Sequence, residues 1–597
     1  MWAHSSSDDQ EYGLHIRVWT GNCKTSAFPP FKAGISLIDV YNRFWRVGKR
    51  SKSHTVPDRI ATLAPFKNQT FRTIWIASLA SNFGGLIQAV GAAWMMTSIS
   101  NSQDMVALVQ SSTTLPIMMF SLIAGALADN FNRRSIMLTA QLFMLAVSIA
   151  LTIFAYLDLL TPWLLLCFTF LLGCGVALNN PAWQASVGDI VSREMLPQAV
   201  TLNSVGFNIT RSVGPAIGGA VVAAAGAAAA FALNAASYVA LMYALLRWKP
   251  ERRDDALPRE TLLRALSAGL GYVSMSPNIL NVLFRGMLFG FSASAILALL
   301  PIVARDLVSG GPLTYGIMLG CFGVGAIGGA MSNARLREKL TSERIVQFAF
   351  LGFAASSAVI ALSTNTALTA IVLVVPGACW VLALSLFNTT VQLSAPRWVV
   401  GRALSFYQTT TFGGMAVGSW IWGVGAENLG VSVSLSLASL AMLVGGLAGL
   451  RNPLPQFTDV DLSPLNKFNE PMLRLDLQPR SGPIVSQIDY EIAEDDIPEF
   501  LTLMARRRRV RIRDGARQWA LMRDLEHPEI WTETYHTATW ADYVRHNRRR
   551  LQIDQEIWDA IRQLHKGAEG PRVHRMIERQ TIPPKDDIFH KHHVDLH

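Results

Sequence analysis

GALADNFNRRSIML, residues 125–138, joins two long apolar runs, 105–128 and 135–156. It gathers Asp129, Arg133 and Arg134 where the hydrophobic chain stops. A helix in a soluble core has no need of such a cluster at its end. A short loop at the face of a bilayer does, because charge inside the hydrocarbon is costly. The whole chain agrees with that reading. Of its 597 residues 51% are hydrophobic and 16% charged, with a mean hydropathy of +0.29. Soluble domains carry about 25% charged residues. The net charge of +10 then reads as basic loops on one membrane face, not as a nucleic-acid surface.

A spanning helix needs roughly 20 apolar residues. Twelve windows qualify: 73–98, 105–128, 135–156, 161–180, 199–224, 228–247, 280–304, 313–334, 345–363, 367–388, 402–424 and 429–450. The fifth and sixth are parted only by AGAAAA, so that boundary is soft. The windows are too long for strands and lack polar–apolar alternation. Loops after the even-numbered windows hold Arg133 and Arg134, then Arg193, then a group from Arg247 to Arg264, then Arg335 to Arg344, then Arg397 and Arg402. These fifteen cations face a single one, Arg305, in the opposite loops. The bias predicts that both termini are cytoplasmic.

The break KPERRDDALPRE (249–260) divides the windows six and six. Gly125, Asp129 and Arg133 recur 204 residues later as Gly329, Asn333 and Arg337. Asn180 and Gln184 recur 208 residues later as Asn388 and Gln392. Two six-helix halves related in this way build a transporter with its substrate between them. The expected layout is a disordered N-terminal extension (1–66), without sustained periodicity or a signal-peptide core, followed by a six-helix half (67–248). A cytoplasmic central loop (249–279), a second half (280–451) and a Pro-rich linker (452–482) come next. A soluble domain (483–580) and a disordered tail (581–597) close the chain. Residues 484–492 alternate like a strand, 495–509 read as a helix, 516–525 and 530–538 as paired strands, 540–565 as helix and 571–578 as a last strand. The order βαββαβ predicts a ferredoxin-like α+β domain. The fold class is therefore an all-α polytopic membrane protein of twelve helices with a small α+β domain.

The pattern G-x-L-x-D-x-x-x-R-R at 125–134 resembles the signature of the major facilitator superfamily at the loop between its second and third helices. The resemblance implies a conformational latch: Gly125 allowing close helix approach, and Asp129 accepting hydrogen bonds from a helix terminus and from Arg133 and Arg134. Asn132 departs from the pattern, where Gly is usual. GPAIGG (214–219) is dense in small residues and so suits close packing between membrane helices. Its Gly214, Pro215, Gly218 and Gly219 resemble a motif of exporters that work as antiporters, although Thr210 replaces an expected Gly. LAPFKNQTFRTIWIASLASNFG (63–84), PQAVTLNSVGFNITRSVGPAIGG (197–219) and GRALSFYQTTTFGGMAVGS (401–419) resemble bacterial twelve-helix permeases similar to the enterobactin exporter. RIRDGARQWALMRDLEHP (511–528) resembles a domain fused to some of them, itself similar to the antibiotic-biosynthesis monooxygenases.

Arg211 lies inside the fifth window with Asn208 one turn before it. It reads either as a substrate-binding cation or as a structural arginine held by helix ends. Asn82, Gln88 and Gln141 are candidates for the pore or for ties between helices. Arg285 reads as a cation snorkelling to the interface. No Asp or Glu occupies the middle of a window, which leaves a coupling proton open. RRRRVRIR (506–513) reads as a solvated helix end or, secondarily, as a patch for anionic lipid. No P-loop or metal-ligand spacing is present, so no cofactor or metal is expected. Expected partners are a small-molecule substrate and the lipid bilayer, with no nucleic acid. A homodimer through the C-terminal domain is left open. Export of a siderophore, drug or other amphipathic metabolite across the inner membrane is the leading reading. Import is the alternative, as is an enzymatic C-terminal domain using Trp519, Trp531, His536, Trp540 and His546.

Overall fold

The computed structural model describes residues 61–192, 195–249, 262–396, 398–455, 462, 463, 465 and 467–578; for 61, 62, 126, 129, 130, 197 and 262–265 it describes the backbone alone. The expectations for residues 1–60 and for the tail lie outside these residues. A 3-10 turn, Ala61–Lys67, places Phe66 against Phe71 and Trp75. The expected disorder therefore fails for residues 61–66, because the apolar Phe66 packs on the first long helix.

Thirteen helices follow among the described residues: α1 (Gln69–Ile99), α2 (Gln103–Asn130), α3 (Arg133–Tyr156), α4 (Pro162–Ile190), α5 (Leu196–Arg247), α6 (Leu262–Ser274), α7 (Pro277–Ile302), α8 (Pro312–Lys339), α9 (Ser342–Leu362), α10 (Thr366–Val372), α11 (Val374–Ser394), α12 (Val400–Leu429) and α13 (Val431–Arg451). Several starts are written locally. The side chains of Asn68, Asn132, Thr161, Thr341 and Asn365 each accept a first-turn N–H, satisfying donors that a helix end leaves free. Asn132, the departure from the family pattern, is therefore the cap of α3.

Ten stretches among the described residues are long and apolar enough to cross a bilayer. The count falls below the twelve windows for two reasons. Val400–Leu429 has 30 residues but is too rich in Gly, Ser and Thr to qualify by hydropathy. The stretch Gln198–Arg247 is counted once although it has 50 residues. A straight helix of that length would reach about 75 Å, more than twice the ~30 Å hydrocarbon core. It does not run straight. Gly226 adopts φ 79°, ψ 172°, a conformation essentially confined to glycine. Beyond it the chain returns, so that Leu241 and Leu245 share a buried cluster with Ala199 and Leu202. Gly430, between α12 and α13, adopts φ 89°, ψ 153°. The two glycines are 204 residues apart, the displacement that relates Gly125 to Gly329.

Small residues set the packing. α1 runs between the two limbs of α5, with Gly214 and Gly218 against Leu86, Ile87 and Val90 on one side and Gly91 against Ala230 on the other. α2 and α12 lie antiparallel along their length. Gly423 meets Ala107, Ser111 donates to the Ala416 carbonyl at 2.7 Å, Ser121 bonds Thr409 at 2.8 Å, and Gly125 lies beside Ser405.

After α13 the fold changes class. β1 (Ile484–Glu491), α14 (Ile497–Arg513), β2 (Arg517–Arg523), β3 (Ile530–Thr537), α15 (Trp540–Arg548), α16 (Gln555–Leu564) and β4 (Arg572–Ile577) form a small α+β unit. Its antiparallel sheet has the order β2-β3-β1-β4. RRRRVRIR ends a helix with Arg506, Arg508 and Arg509 exposed, but the solvated reading fails for two of its arginines. Arg507 and Arg511 continue the buried face begun by Phe500 and Met504. Both pair with Glu533 on β3, at 2.8 and 3.1 Å, and all three side chains are at most 2% exposed. Tyr490 and Trp519 also donate to Glu533. Burial pushes this carboxyl up, but Arg507 and Arg511, helped by those hydrogen bonds, hold it down at about 2. The run alternates solvent and core because a helix does, and the core positions carry arginine.

The unit sits against the helical bundle. Arg549 stacks on Trp398 at 4.1 Å, and Trp398 meets Tyr272 of α6 edge-on. The Tyr272 hydroxyl donates to the Ser394 carbonyl at 3.0 Å.

A Cβ added to Gly226 would meet no atom within 4 Å, so only backbone strain opposes a side chain there. Gly226→Ala is expected to lower stability in detergent by about 1–3 kcal/mol, measured by thermal unfolding. Gly85→Ala, in the helical conformation and equally uncrowded, is expected to be neutral or slightly stabilising.

Candidate transport site and its latch

The sequence-predicted arginines of the 125–134 loop are tied within the first half. Arg133 pairs with Asp189 at 2.7 Å and donates to the carbonyls of Ala185 (2.9 Å) and Ala128 (3.3 Å). Arg134 donates at 2.9 Å to the carbonyls of Leu245 and Leu246, at the end of α5. A cation at a helix C-terminus is favoured there. The loop thus staples α3 to the ends of α4 and α5. The side chain of Asp129 lies outside the described residues. Gly125 faces the other half, 3.2 Å from Ser405 Oγ if given a Cβ. The diverged copy behaves in parallel. Arg337 donates to Asn333 (3.1 Å) and Thr389 (3.1 Å), and Asn333 donates to Ser385 (3.0 Å).

The exporter-type motif lies where α5 crosses α8. A Cβ on Gly219 would stand 2.7 Å from the Pro312 carbonyl and 2.8 Å from Gly316 Cα, both backbone. Gly316 faces the Pro215 carbonyl in return, and Gly323 lies over Ser212. Ser212 donates to the Gly323 carbonyl at 2.8 Å in a buried bond. Arg211 projects from this crossing toward the second half. Its guanidinium carbon is 5.2 Å from the Trp380 ring and 5.6 Å from Phe322, within reach of cation–π attraction. Asn208 is half-buried on the same helix. No carboxylate pairs with Arg211 among the described residues.

The other candidates go elsewhere. Gln88 is buried and bonded to Asn234, which also donates to the Tyr238 hydroxyl; it ties α1 to the second limb of α5. Gln141 donates to Asn179 at 3.2 Å, tying α3 to α4. Asn82 is exposed on α1. In the α+β unit Trp531 packs on Phe500, Trp540 on Tyr543, and His546 against Arg511. These aromatic and histidine side chains are built into the core.

Arg285 does not reach solvent. It is 1% exposed and paired with Glu343 at the start of α9. The Leu454 N–H donates to the same carboxylate at 2.8 Å, and Gly449 leaves the room for the pair. Snorkelling fails because the partner is buried beside it. Sequence reading missed this pair, as it missed Asp189. Glu343 falls just outside a window, and nothing local links it to a residue 58 positions earlier.

At the end of the bundle remote from the α+β unit, the halves touch again. Arg305 donates to the Thr97 carbonyl at 2.8 Å, Trp94 stacks on Tyr315, and Glu427 accepts from the Gln103 N–H.

The sequence profile of the transmembrane secretion effectors matches residues 60–581. The chain belongs to this family of major facilitator transporters. The multidrug efflux pump Tap of Mycolicibacterium fortuitum is 24% identical over 409 residues, 65% of this chain and 97% of that one. Macrolide efflux protein A of Streptococcus pyogenes is 24% identical over 270 residues, 42% of this chain and 66% of its own length. The crystal structure of an auto-inhibited POT family peptide transporter shares the helical fold, with a TM-score of 0.54, 13% identity, and coverage of 67% of this chain and 99% of that one. The family is one of transporters, not enzymes.

Leaving one member of a buried ion pair alone costs about 3–5 kcal/mol. Arg285→Met and Glu343→Met are each expected to destabilise the protein on that scale, and the double variant to recover most of the loss. Thermal unfolding of the four proteins in detergent measures the coupling.

Proposed function

We propose that this secondary exporter moves small amphipathic molecules, of siderophore, drug or metabolite class, through twelve helices in two six-helix halves. The observation that carries the reading is Arg211. Its guanidinium, in a membrane-spanning helix, reaches from the first half onto Trp380 and Phe322 of the second, beside a glycine-on-glycine crossing of the same two halves. A cation framed by aromatic rings suits a substrate with an anionic or π-rich group. The crossing at Gly219 and Gly316 supplies a surface about which the halves rock. The Arg133 and Arg134 contacts support a latch that holds α3, α4 and α5 as one body, with Asp129 as its remaining member.

The glycine reversals at 226 and 430, one per half, support twelve spans rather than ten. The fifteen-to-one loop bias supports cytoplasmic termini and insertion in a bacterial inner membrane. The sheet order supports a ferredoxin-like domain in the cytoplasm, acting in dimer formation or regulation. The relatives that bear efflux names support the outward direction. The antiported ion is the proton.

Accumulation of a fluorescent cationic dye and of a catecholate siderophore in cells tests this. Wild type is expected to lower accumulation relative to empty vector, and a protonophore to abolish the effect. Arg211→Gln is expected to cut export of the anionic siderophore by about tenfold at equal expression, and Arg211→Lys to retain part of it, because the ammonium keeps the positive charge and the ring attraction. Equal export by wild type and Arg211→Gln would remove Arg211 from the site.

A further inference from the structure

Around Trp558 the α+β unit gathers three arginines, with one carboxylate, Glu533, paired to two of them. Three guanidinium carbons surround the Trp558 indole: Arg507 at 3.6 Å from the ring centre, Arg550 at 4.3 Å and Arg511 at 4.6 Å. Glu533 answers Arg507 and Arg511 together. Among the described residues no carboxylate pairs with Arg550. Nη2 of Arg507, Nη2 of Arg511 and Nε of Arg550 are buried without a hydrogen-bond partner. Burial, with repulsion from Arg511 and Arg507, holds Arg550 down at about 10. Buried charge without a counter-charge is unfavourable, and beyond its bond to Asn547 Arg550 has room to be answered by an anion.

A place for one adjoins it. Arg550 lines a cavity of roughly 370 Å³ together with Leu465, Lys467, Phe468, Asn547 and Arg548. Among the described residues its wall carries three cations and no carboxylate, and Glu470 lies 3.9 Å from Arg548, with both side chains at least half exposed. The end of α15 adds only about half a negative charge. The cavity is roofed by the segment that descends from the membrane helices. The Leu465 N–H donates to the Arg550 carbonyl at 2.8 Å, and the Gln552 N–H to the Ser463 carbonyl at 3.0 Å. Phe468, packed edge-on against Tyr543 at 6.1 Å, gives the wall an apolar side.

We propose that this cavity binds the carboxylate or phosphate of a small, partly apolar molecule. Its volume lies within the range of about 300–1,000 Å³ usual for ligand pockets. The charged head meets Arg550, Lys467 and Arg548, and the apolar part lies along Phe468 and Leu465. Arg507 and Arg511 supply further positive potential from behind Trp558. The roof belongs to the covalent connection between membrane helices and α+β unit, so an occupant touches the one segment that joins them.

The test uses the full chain in phosphatidylcholine nanodiscs, titrated calorimetrically with inorganic phosphate and with benzoate. Saturable binding of at least one anion is expected. Arg550→Gln and Lys467→Gln are each expected to weaken it by about tenfold, equivalent to about 1.4 kcal/mol. Lys467 is exposed on the roof, so its variant keeps the fold if Arg550→Gln does not. Arg572→Gln, on the exposed edge strand, is expected to bind as wild type does. Repeating the titration in discs containing phosphatidylglycerol separates the two sources of the anion. Weakened binding there assigns the cavity to a lipid headgroup, and unchanged binding assigns it to a free metabolite. No saturable binding of either anion to the wild type, or equal affinity in Arg550→Gln, Lys467→Gln and wild type, overturns the proposal.

Discussion

Backbone meets backbone where α5 crosses α8, with Gly219 over Gly316 and Ser212 over Gly323. Inside a bilayer the lipid tails are as apolar as the helices, so hydrophobic burial does little to hold two spans together. Close approach, dispersion and buried hydrogen bonds must do it instead. The Ser212–Gly323 bond is available only because no side chain separates the helices. The same constraint governs α2 against α12, where Ala107, Ser111, Ser121 and Gly125 meet Gly423, Ala416, Thr409 and Ser405. Both contacts join one half of the chain to the other. They fix where Arg211 emerges and which rings it meets.

Much of this was legible in the sequence, because its signals are local or periodic. Apolar windows mark the long helices, and glycine density marks the crossings. The 204-residue displacement between Gly125 and Gly329 extends in the structure to Gly226 and Gly430. The softest boundary, AGAAAA, proved to be a reversal made by one glycine. What stayed hidden depends on distant partners. Arg285 looked like an interfacial cation until Glu343 was found against it. RRRRVRIR looked like surface until Glu533, on another element, accounted for Arg507 and Arg511. Gln88 and Gln141 became ties between helices only through Asn234 and Asn179. Polar residues report their role through their partners, and one sequence does not show which residues those are.

The α+β unit is attached through contacts with different physics. Arg549 stacks on Trp398, in the loop between α11 and α12, and Tyr272 of α6 packs edge-on against the same ring. Farther along the chain, Leu454 is held by Glu343, and Asn281 donates to the carbonyls of Asn452 and Pro453. At the α+β unit the Leu465 N–H donates to the Arg550 carbonyl and the Gln552 N–H to the Ser463 carbonyl, so described residues of the connection are tied to both bodies.

The central claim is that the two halves move as bodies about the α5–α8 crossing. Spin labels at Ser98 and Ser309 report the end where Arg305 meets Thr97. Labels at Asn132 and Arg335 report the end carrying the arginine loops. Distances for both pairs, taken by pulsed electron resonance with and without a transported dye in nanodiscs, test the claim directly. The account predicts opposite changes, one pair lengthening as the other shortens. Distances that change in the same sense, or that stay fixed while the dye is transported, would contradict it.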